Sequence, residues 1–306
     1  MSMTAEQWAA ERPVLLKRAT YAAVGVALAL IALKAGALWL TGSVAMLGTL
    51  IDSLLDGTAS LVNLFAVRLA LEPADYDHRF GHGKAEALAG LGQSVFIFGS
   101  AGYITYESIS RFIAPEPVAS SEIGIAVTLI AIALTLGLVA YQRKVVQATK
   151  SLAIEADSIH YRADLLMNVS VIAALVLAGL FGFTWADPVF GLLIAFFIGK
   201  GAWEIVRGAT DQLMDKELSD EEREKIKRMV AAHEGAVGMH DLRTRMSGAH
   251  LFIQFHLEID GSLSLMKAHK ITDDIEKEIE AAFPGSEVLI HQDPAGLEKV
   301  SRLERT

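Results

Sequence analysis

The chain has no cysteine among its 306 residues. This absence excludes disulfides, thiolate nucleophiles and cysteine-based zinc fingers, although it does not indicate a cellular compartment. Any metal site must therefore be built from the nine histidines and the carboxylates.

The chain also lacks an excess of basic residues. Residues 1–208 hold 14 Lys+Arg against 16 Asp+Glu, whereas residues 209–306 hold 13 against 20. Six of the nine histidines lie in this acidic last third. An acidic domain argues against nucleic acid and anionic lipid as partners, and it is compatible with cations.

Apolar residues, in contrast, are abundant. They make up 52% of the chain, with a mean hydropathy of +0.38, which indicates a membrane protein. A helix that crosses a bilayer needs about 20 residues. Six stretches are long enough, namely Tyr21–Leu40, Val44–Leu69, Leu88–Ile113, Ile123–Tyr141, Leu152–Phe181 and Pro188–Val206.

The connections between these stretches predict the orientation of the chain. Basic residues cluster on one side, whereas the other side has Arg111 and little else. Because basic loops stay in the cytoplasm, the positive side is the inner one, and six spans return the chain to it. We therefore expect both termini to be cytoplasmic. The residues on the basic side are Lys17, Arg18, Arg68, Arg79, Lys84, Arg143, Lys144, Lys150 and Arg207.

The last third has residue patterns unlike those of the apolar stretches. An amphipathic helical pattern capped by Ser219 is followed by a β-hairpin pattern, a second helix and a third strand. The order αββαβ over about 80 residues is typical of a ferredoxin-like α+β sandwich. The sequence thus predicts an all-α six-helix transmembrane domain at 1–208 and a cytoplasmic α+β ferredoxin-like (αββαβ) domain at 209–306.

Two pairs of polar residues interrupt the apolar stretches at helical spacing. Asp52 and Asp56 in "LIDSLLDG" lie one turn apart, and so do His160 and Asp164 in "SIHYRADLLMN". A carboxylate at mid-bilayer costs about 2.5–3.5 kcal/mol on insertion scales, so it needs a partner or a water-filled cavity. Brought face to face, the pairs supply three carboxylates and one imidazole, which suits a tetrahedral divalent cation, Zn²⁺ above all.

A structural role for these residues is the alternative interpretation. One buried aspartate can cap a kink or bond a neighbouring serine, but two such pairs on separate helices favour a functional site. Lys34 differs, because it lies close enough to the end of the first span for its ammonium group to reach the headgroups.

The loop "DYDHRFGHGKAE" holds a second candidate metal site. Asp75, His78 and His82 lie within two turns of one another, although surface histidines are often merely solvated. The segment "GHGKA" is no phosphate-binding loop, because His78 stands where the first glycine would be and Ala85 replaces Ser/Thr. We therefore expect no nucleotide site and transport driven by a gradient.

These motifs together resemble the cation diffusion facilitator family, and within it the YiiP-like bacterial zinc/iron transporters. The resemblance rests on DxxxD in the second span, HxxxD in the fifth, the histidine-bearing loop, and an αββαβ tail that ends in "IHQD". It implies a homodimeric secondary transporter in the bacterial inner (plasma) membrane. Such a protein is not an enzyme, and it moves a divalent metal out of the cytoplasm in exchange for protons.

The resemblance also implies which residues bind metal. The transport site falls on Asp52, Asp56, His160 and Asp164. The loop site falls on Asp75, His78 and His82. The tail ligands fall on His240, His256, His291 and Asp293, with His269 and Gln292 at matching positions.

Two other functions remain open on the sequence. A metal-gated channel would show neither saturable nor proton-coupled flux. A membrane-bound metal sensor would work through its tail, and it would not need carboxylates within two spans.

Overall fold

The computed structural model describes residues 5–42, 44–114, 122–181, 183 and 185–296. The chain divides into two compact units. One, the helical unit, comprises Val14–Pro73 and Ala85–Thr210. The other, the sheet unit, comprises Met1–Pro13, Ala74–Lys84 and Asp211–Thr306.

In the part of the chain that the structure describes, six long helices follow one another, and each predicted span falls within one of them. Five are long and apolar enough to cross a membrane, whereas the fifth helix carries several charged residues in its first half. The helices are α1 (Ala5–Thr41), α2 (Val44–Ala70), α3 (Ala85–Ile113), α4 (Glu122–Thr149), α5 (Leu152–Phe181) and α6 (Ala186–Leu213).

Three helices extend by seven residues or more beyond one end of their apolar stretches. α1 begins at Ala5 rather than Tyr21, α4 continues to Thr149 and α6 continues to Leu213. The added turns are rich in charged and polar residues, which hydropathy leaves out but which are good helix formers. A hydropathy pattern therefore predicts the apolar part of each helix and misses its polar extensions.

α5 lies at the centre of the helical unit. Its buried residues take part in three apolar clusters, one shared with α3 and α6, one with α1, α2 and α4, and one with α1 and α4. Ala153, Ala156 and Ala163 are among them, and small residues let neighbouring backbones approach closely. Many large apolar side chains on the outside of the unit are exposed, such as Phe196 and Phe65, as expected of surfaces that face lipid.

The sheet unit contains the predicted αββαβ fold. Its elements are α7 (Asp220–Ala232), β1 (Gly238–Ser247), β2 (His250–Ile259), α8 (Leu265–Ala282) and β3 (Ser286–Pro294). β2 is central, antiparallel to β1 and parallel to β3. Ser219 caps α7 in a capping box with Glu222, as the sequence predicts.

Alternation along the strands divides the sheet into two faces. Ile253, Phe255 and Leu257 of β2 are buried in a core with residues of α7 and α8. Residues 252, 254, 256 and 258 point to the opposite face, the open face. The predicted tail ligands of β1 and β2 lie on this open face.

Candidate metal centres

The first candidate site lies where α2 faces α5. His160 Nε2 is 2.9 Å from Asp56 Oδ1 and 3.8 Å from Asp164 Oδ2. One ligand atom of each residue lies within 4.8 Å of the other two. Ligands around a tetrahedral metal at about 2.1 Å are about 3.4 Å apart, so these side chains need little movement to bind one ion. Asp56, His160 and Asp164 are called the triad below.

Asp52, the fourth predicted ligand, is placed differently. It lines the same cavity as the triad, one helical turn before Asp56, but it is not part of the three-residue cluster. Its side chain is exposed to the cavity rather than packed. The structure therefore brings three of the four predicted transport ligands together and leaves Asp52 beside them.

Lys34 faces the bundle, contrary to the sequence-based expectation that it reaches the headgroups. Its Nζ donates hydrogen bonds to the carbonyl oxygen of Thr49, at 3.1 Å, and to Ser53 Oγ, at 2.7 Å. Both acceptors lie on α2, and Lys34 lines the cavity. The packing of α1 against α2, which the sequence does not reveal, determines where this ammonium group lies.

A buried hydrogen-bond network adjoins the triad. Asp157 is 1% exposed and accepts hydrogen bonds from Gln93 Nε2, at 3.1 Å, and Gln142 Nε2, at 2.6 Å. The hydroxyls of Ser60 and Tyr161 are 2.9 Å apart. These bonds connect α5 to α2, α3 and α4. They fix the rotation of the helix that carries His160 and Asp164.

The second candidate site is the loop between α2 and α3. Asp75 Oδ1 is 3.4 Å from His78 Nδ1, Asp75 Oδ2 is 3.4 Å from His82 Nε2, and the facing nitrogens of the two histidines are 3.2 Å apart. The backbone N–H of His78 donates to the Asp75 carboxylate, which holds the pKa of that carboxyl below its usual range. The three predicted loop ligands thus form one compact cluster.

The loop is fixed by contacts within the sheet unit. Gly83 packs so closely on the β1–β2 turn that a Cβ there would lie 2.2 Å from the carbonyl oxygen of Ser247. The Arg245 guanidinium lies over the rings of Phe80 and Phe252. Lys84 forms an ion pair with Asp215 at 2.8 Å. The loop cluster is therefore held by the tail.

The third candidate site lies on the open face of the sheet. His240 and His256 are partners in the β1–β2 ladder, and Asp293 reaches both from β3. His256 Nδ1 is 2.6 Å from Asp293 Oδ2, and His240 Nε2 is 3.6 Å from the same oxygen. The hydrogen bond from His256 lowers the pKa of the Asp293 carboxyl. The ligand atoms of all three lie within 4.8 Å of one another.

The other predicted tail ligands lie at the edge of this cluster or away from it. His291 Nε2 is 3.4 Å from Asp293 Oδ1, and its ring is largely exposed. His269 Nε2 on α8 lies 3.7 Å from Asp273 Oδ1, one turn on along the same helix. Gln292 points to the opposite face of β3, where it donates to Thr272 Oγ1 at 2.8 Å. Alternation along β3 explains why His291 and Asp293 are near the cluster and Gln292 is not.

Glu258 adjoins the tail cluster, and the sequence analysis missed it. Its Oε1 lies 2.8 Å from His240 Nδ1. The residue stands two positions after His256 on β2, and residues two apart share a strand face. That spacing is the signal from which Glu258 could have been predicted.

Comparisons with known proteins show the family to which the chain belongs. The family model of the cation efflux transmembrane domain matches residues 20–214. The family model of the cation efflux protein cytoplasmic domain matches residues 218–295. The cation-efflux pump FieF of Shewanella oneidensis is 46% identical over 287 residues, covering 94% of this chain and 97% of the relative. FieF of Klebsiella pneumoniae is 47% identical over 283 residues, covering 92% and 94%.

One similar solved structure covers about a quarter of the chain. The metal-bound C-terminal domain of the CzcD transporter from Thermotoga maritima is 28% identical, with a TM-score of 0.25, and covers 27% of this chain and all of that one. The two family models together span nearly the whole chain, and the relatives are transporters rather than enzymes. The chain belongs to the cation efflux family of membrane transporters, as its motifs predicted.

Proposed function

We propose that this protein is a proton-coupled antiporter that exports divalent metal cations from the cytoplasm. Zn²⁺ is the first cargo we assign, and Fe²⁺ is the second candidate. The observation that carries the proposal is the triad, in which two carboxylates and one imidazole converge inside a membrane-spanning bundle. Mixed nitrogen and oxygen ligands suit zinc-like ions better than Mg²⁺ or Ca²⁺.

Proton coupling follows from the chemistry of such ligands. A metal binds carboxylate and neutral imidazole, so protons and metal compete for the same atoms. A site that opens alternately to two compartments can therefore take metal on one side and protons on the other. We infer no nucleotide in this cycle.

We propose different roles for the two domains. We propose that residues 1–208 form the transport domain, with Asp52 completing the triad when metal binds. Residues 209–306 form a cytoplasmic metal-binding and dimerisation domain, with both termini on the cytoplasmic side of a bacterial inner membrane. The match to a cytoplasmic domain model named for dimerisation supports a homodimer.

Flux measurements test this proposal. The purified protein is reconstituted into sealed vesicles with an imposed pH gradient, and uptake of Zn²⁺, Fe²⁺, Mn²⁺ and Cd²⁺ is measured beside protein-free vesicles. We expect saturable Zn²⁺ uptake that accelerates with the gradient and is accompanied by proton flux in the opposite direction. Non-saturable flux without proton movement would indicate a metal-gated channel, and metal binding without flux would indicate a membrane-bound sensor.

A further inference from the structure

The helical unit holds a second polar layer, distinct from the triad. Asn63 follows Asp56 by seven residues on α2, which is about 10 Å along the helix. Asp157 precedes Asp164 by the same number on α5. Asp56 contacts His160, and Ser60 contacts Tyr161. Val67, further along α2, packs with Ala153 and Ile154 near the start of α5, so the two helices run antiparallel. Asn63 and Asp157 therefore both lie toward the end of the bundle where α2 ends and α5 begins.

Two amides of this layer line the cavity that contains the triad. Asn63 is 2% exposed and Gln93 is 7% exposed, and both contribute to the wall of this cavity of about 680 Å³. Among the described residues, neither Asn63 Oδ1 nor Asn63 Nδ2 has a hydrogen-bond partner, and the same holds for Gln93 Oε1. Buried polar atoms in proteins nearly always have partners, so these atoms point to a ligand or its water.

Asp157 determines whether the amide nitrogen or the carbonyl oxygen of Gln93 faces away from it. An ionised carboxylate only accepts hydrogen bonds, so the amide nitrogen of Gln93 must face it, and so must that of Gln142. Rotating either amide by 180° would set a carbonyl oxygen against a carboxylate oxygen. The Gln93 carbonyl oxygen is therefore turned away from Asp157, and it is a buried acceptor without a hydrogen-bond partner among the described residues.

The chemistry of the layer differs from that of the triad. Amide oxygens are neutral hard donors, which replace or hold the water around a divalent cation without binding it tightly. An ion on a path through a protein must be bound well enough to enter a site and weakly enough to leave it. Two neutral amides that lie two turns from a charged triad meet both conditions.

We propose that Asn63 and Gln93 form a second cation subsite, at which a partly hydrated divalent cation pauses on its way between the end of the bundle and the triad. Asp157 is the positioning residue that holds Gln93 in the binding orientation. This inference rests on the proposed function, since it assumes that divalent cations pass through the cavity.

The first test removes the amide at position 63 and keeps its size. Asn63→Leu should lower the initial rate of Zn²⁺ uptake into vesicles by about tenfold, because the ion loses its intermediate site. Zn²⁺ affinity at the triad should change less than about twofold, since the triad lies two turns away. Affinity is measured by chelator competition in a background carrying His82→Ala and His256→Ala, so that the loop and tail sites do not contribute.

The second test strengthens the subsite instead. Asn63→Asp keeps the shape of the side chain and replaces a neutral oxygen by a carboxylate. In the same background it should bind one more equivalent of Zn²⁺ than the parent protein. Ser94→Ala is the matched control, because Ser94 is a buried hydroxyl beside Gln93 whose hydrogen bond stays within α3, on Gly90. This control should leave both rate and stoichiometry unchanged.

Three results would overturn the subsite. They are wild-type flux through Asn63→Leu, a loss of triad affinity as large as the loss of flux, and an Asn63→Asp protein that binds no additional Zn²⁺. If Asn63→Leu does not fold, the stoichiometry of Asn63→Asp decides alone. Failure of the wild-type protein to transport any metal would instead refute the proposed function, and the binding experiment would still be informative.

Discussion

At the scale of single residues, His160 is the central group of the triad, the proposed transport site. It is the only nitrogen donor among the triad, and its Nε2 faces a carboxylate oxygen on each side. Asp56 comes from another helix, so any change in the spacing of α2 and α5 changes the site directly. Each of these three residues can be tested separately.

Replacement of Asp56 by alanine should abolish metal flux while the protein remains folded and inserted. The substitution removes a ligand, and it also removes a carboxylate whose transfer into the membrane is unfavourable. Vesicle uptake and thermal unfolding measure the two effects. Glu204→Ala, an exposed carboxylate on α6, is the control and should transport normally. Normal flux through Asp56→Ala would remove Asp56 from the site.

Replacement of His160 by aspartate should change metal preference. The variant keeps the one-turn spacing to Asp164 but removes the only nitrogen, and all-oxygen sites favour harder ions such as Mn²⁺. We expect slower Zn²⁺ uptake and a rise in the Mn²⁺ to Zn²⁺ ratio of initial rates, measured in matched vesicles at one pH. An unchanged ratio would mean that His160 does not contact the metal.

Helical spacing predicted which faces carry the ligands but not how the faces meet. Asp52 and Asp56 lie on the same face of α2, so the sequence predicts the same role for both. In the structure only Asp56 lies at the level of His160, because one turn of α2 crosses α5 there. The partners of Asp157 come from α3 and α4, and no spacing within one helix predicts contacts across helices.

At the scale of elements, the strands and short helices of the tail were the most predictable part of the fold. Their amphipathic and alternating patterns state both element type and buried face, and Ser219 and Gly248 mark a helix start and a hairpin turn. The long helices were less predictable at their ends. A hydropathy pattern predicts where a helix enters the lipid, but the helix itself can continue into water beyond that point.

The turn between β2 and α8 should make the tail sensitive to acid. Ser262 N–H donates to Asp260 Oδ1 at 2.8 Å, and this bond lowers the pKa of the Asp260 carboxyl. The ionised form therefore stabilises the fold at any pH above the unfolded value of about 3.9, and this stabilisation is lost as the pH falls through the lower folded value.

Asp260→Asn keeps an acceptor for Ser262 but removes the charge. The variant should lose less stability than wild type between about pH 5 and pH 2, as measured by thermal unfolding of the tail fragment. Glu278→Gln, an exposed carboxylate on α8, is the control and should follow the wild-type profile. Identical profiles for Asp260→Asn and wild type would show that the turn carboxylate has no such role.

The tail should fold without the membrane domain and gain stability from metal. Its apolar core is formed entirely by residues after 217, including Ile226, Phe255 and Ile279. A fragment of residues 210–306 should therefore unfold cooperatively, and Zn²⁺ at about a hundredfold excess over its Kd should raise its Tm by about 10 °C or more.

Two histidine variants identify the source of that shift. His256→Ala removes a member of the tail cluster and should lose most of the effect. His250→Ala changes an exposed histidine at the start of the same strand and should retain it. A fragment whose melting temperature is the same with and without Zn²⁺ would reduce the tail to a structural module.

At the scale of the whole molecule, the order of six spans sets which connections face which compartment. The basic residues predict that the tail is cytoplasmic and that the α5–α6 connection lies on the opposite side. The absence of cysteine makes this arrangement testable, because a single introduced thiol is the only target for a thiol reagent.

Single-cysteine variants should report the two sides separately. Trp185→Cys, in the exposed connection between α5 and α6, should react with a membrane-impermeant maleimide on intact cells. Glu221→Cys, in the exposed first turn of α7, should react only after the membrane is permeabilised. The wild-type chain is the unreactive control. The reverse pattern of labelling would invert the proposed topology.

The position of Lys34 has a consequence for the electrical balance of transport. The charged groups that line the cavity are Lys34, Asp52, Asp56 and Asp164, and a metal-binding imidazole is neutral. With all three carboxylates ionised, they and the ammonium group leave two negative charges, which one bound divalent cation would cancel. The loaded cavity is then electroneutral and can change its access through a low-dielectric bundle without carrying unbalanced charge. In the proposed transport cycle, the lysine would match the cavity to ions of charge two, and a monovalent ion would leave a residual charge that disfavours the same movement.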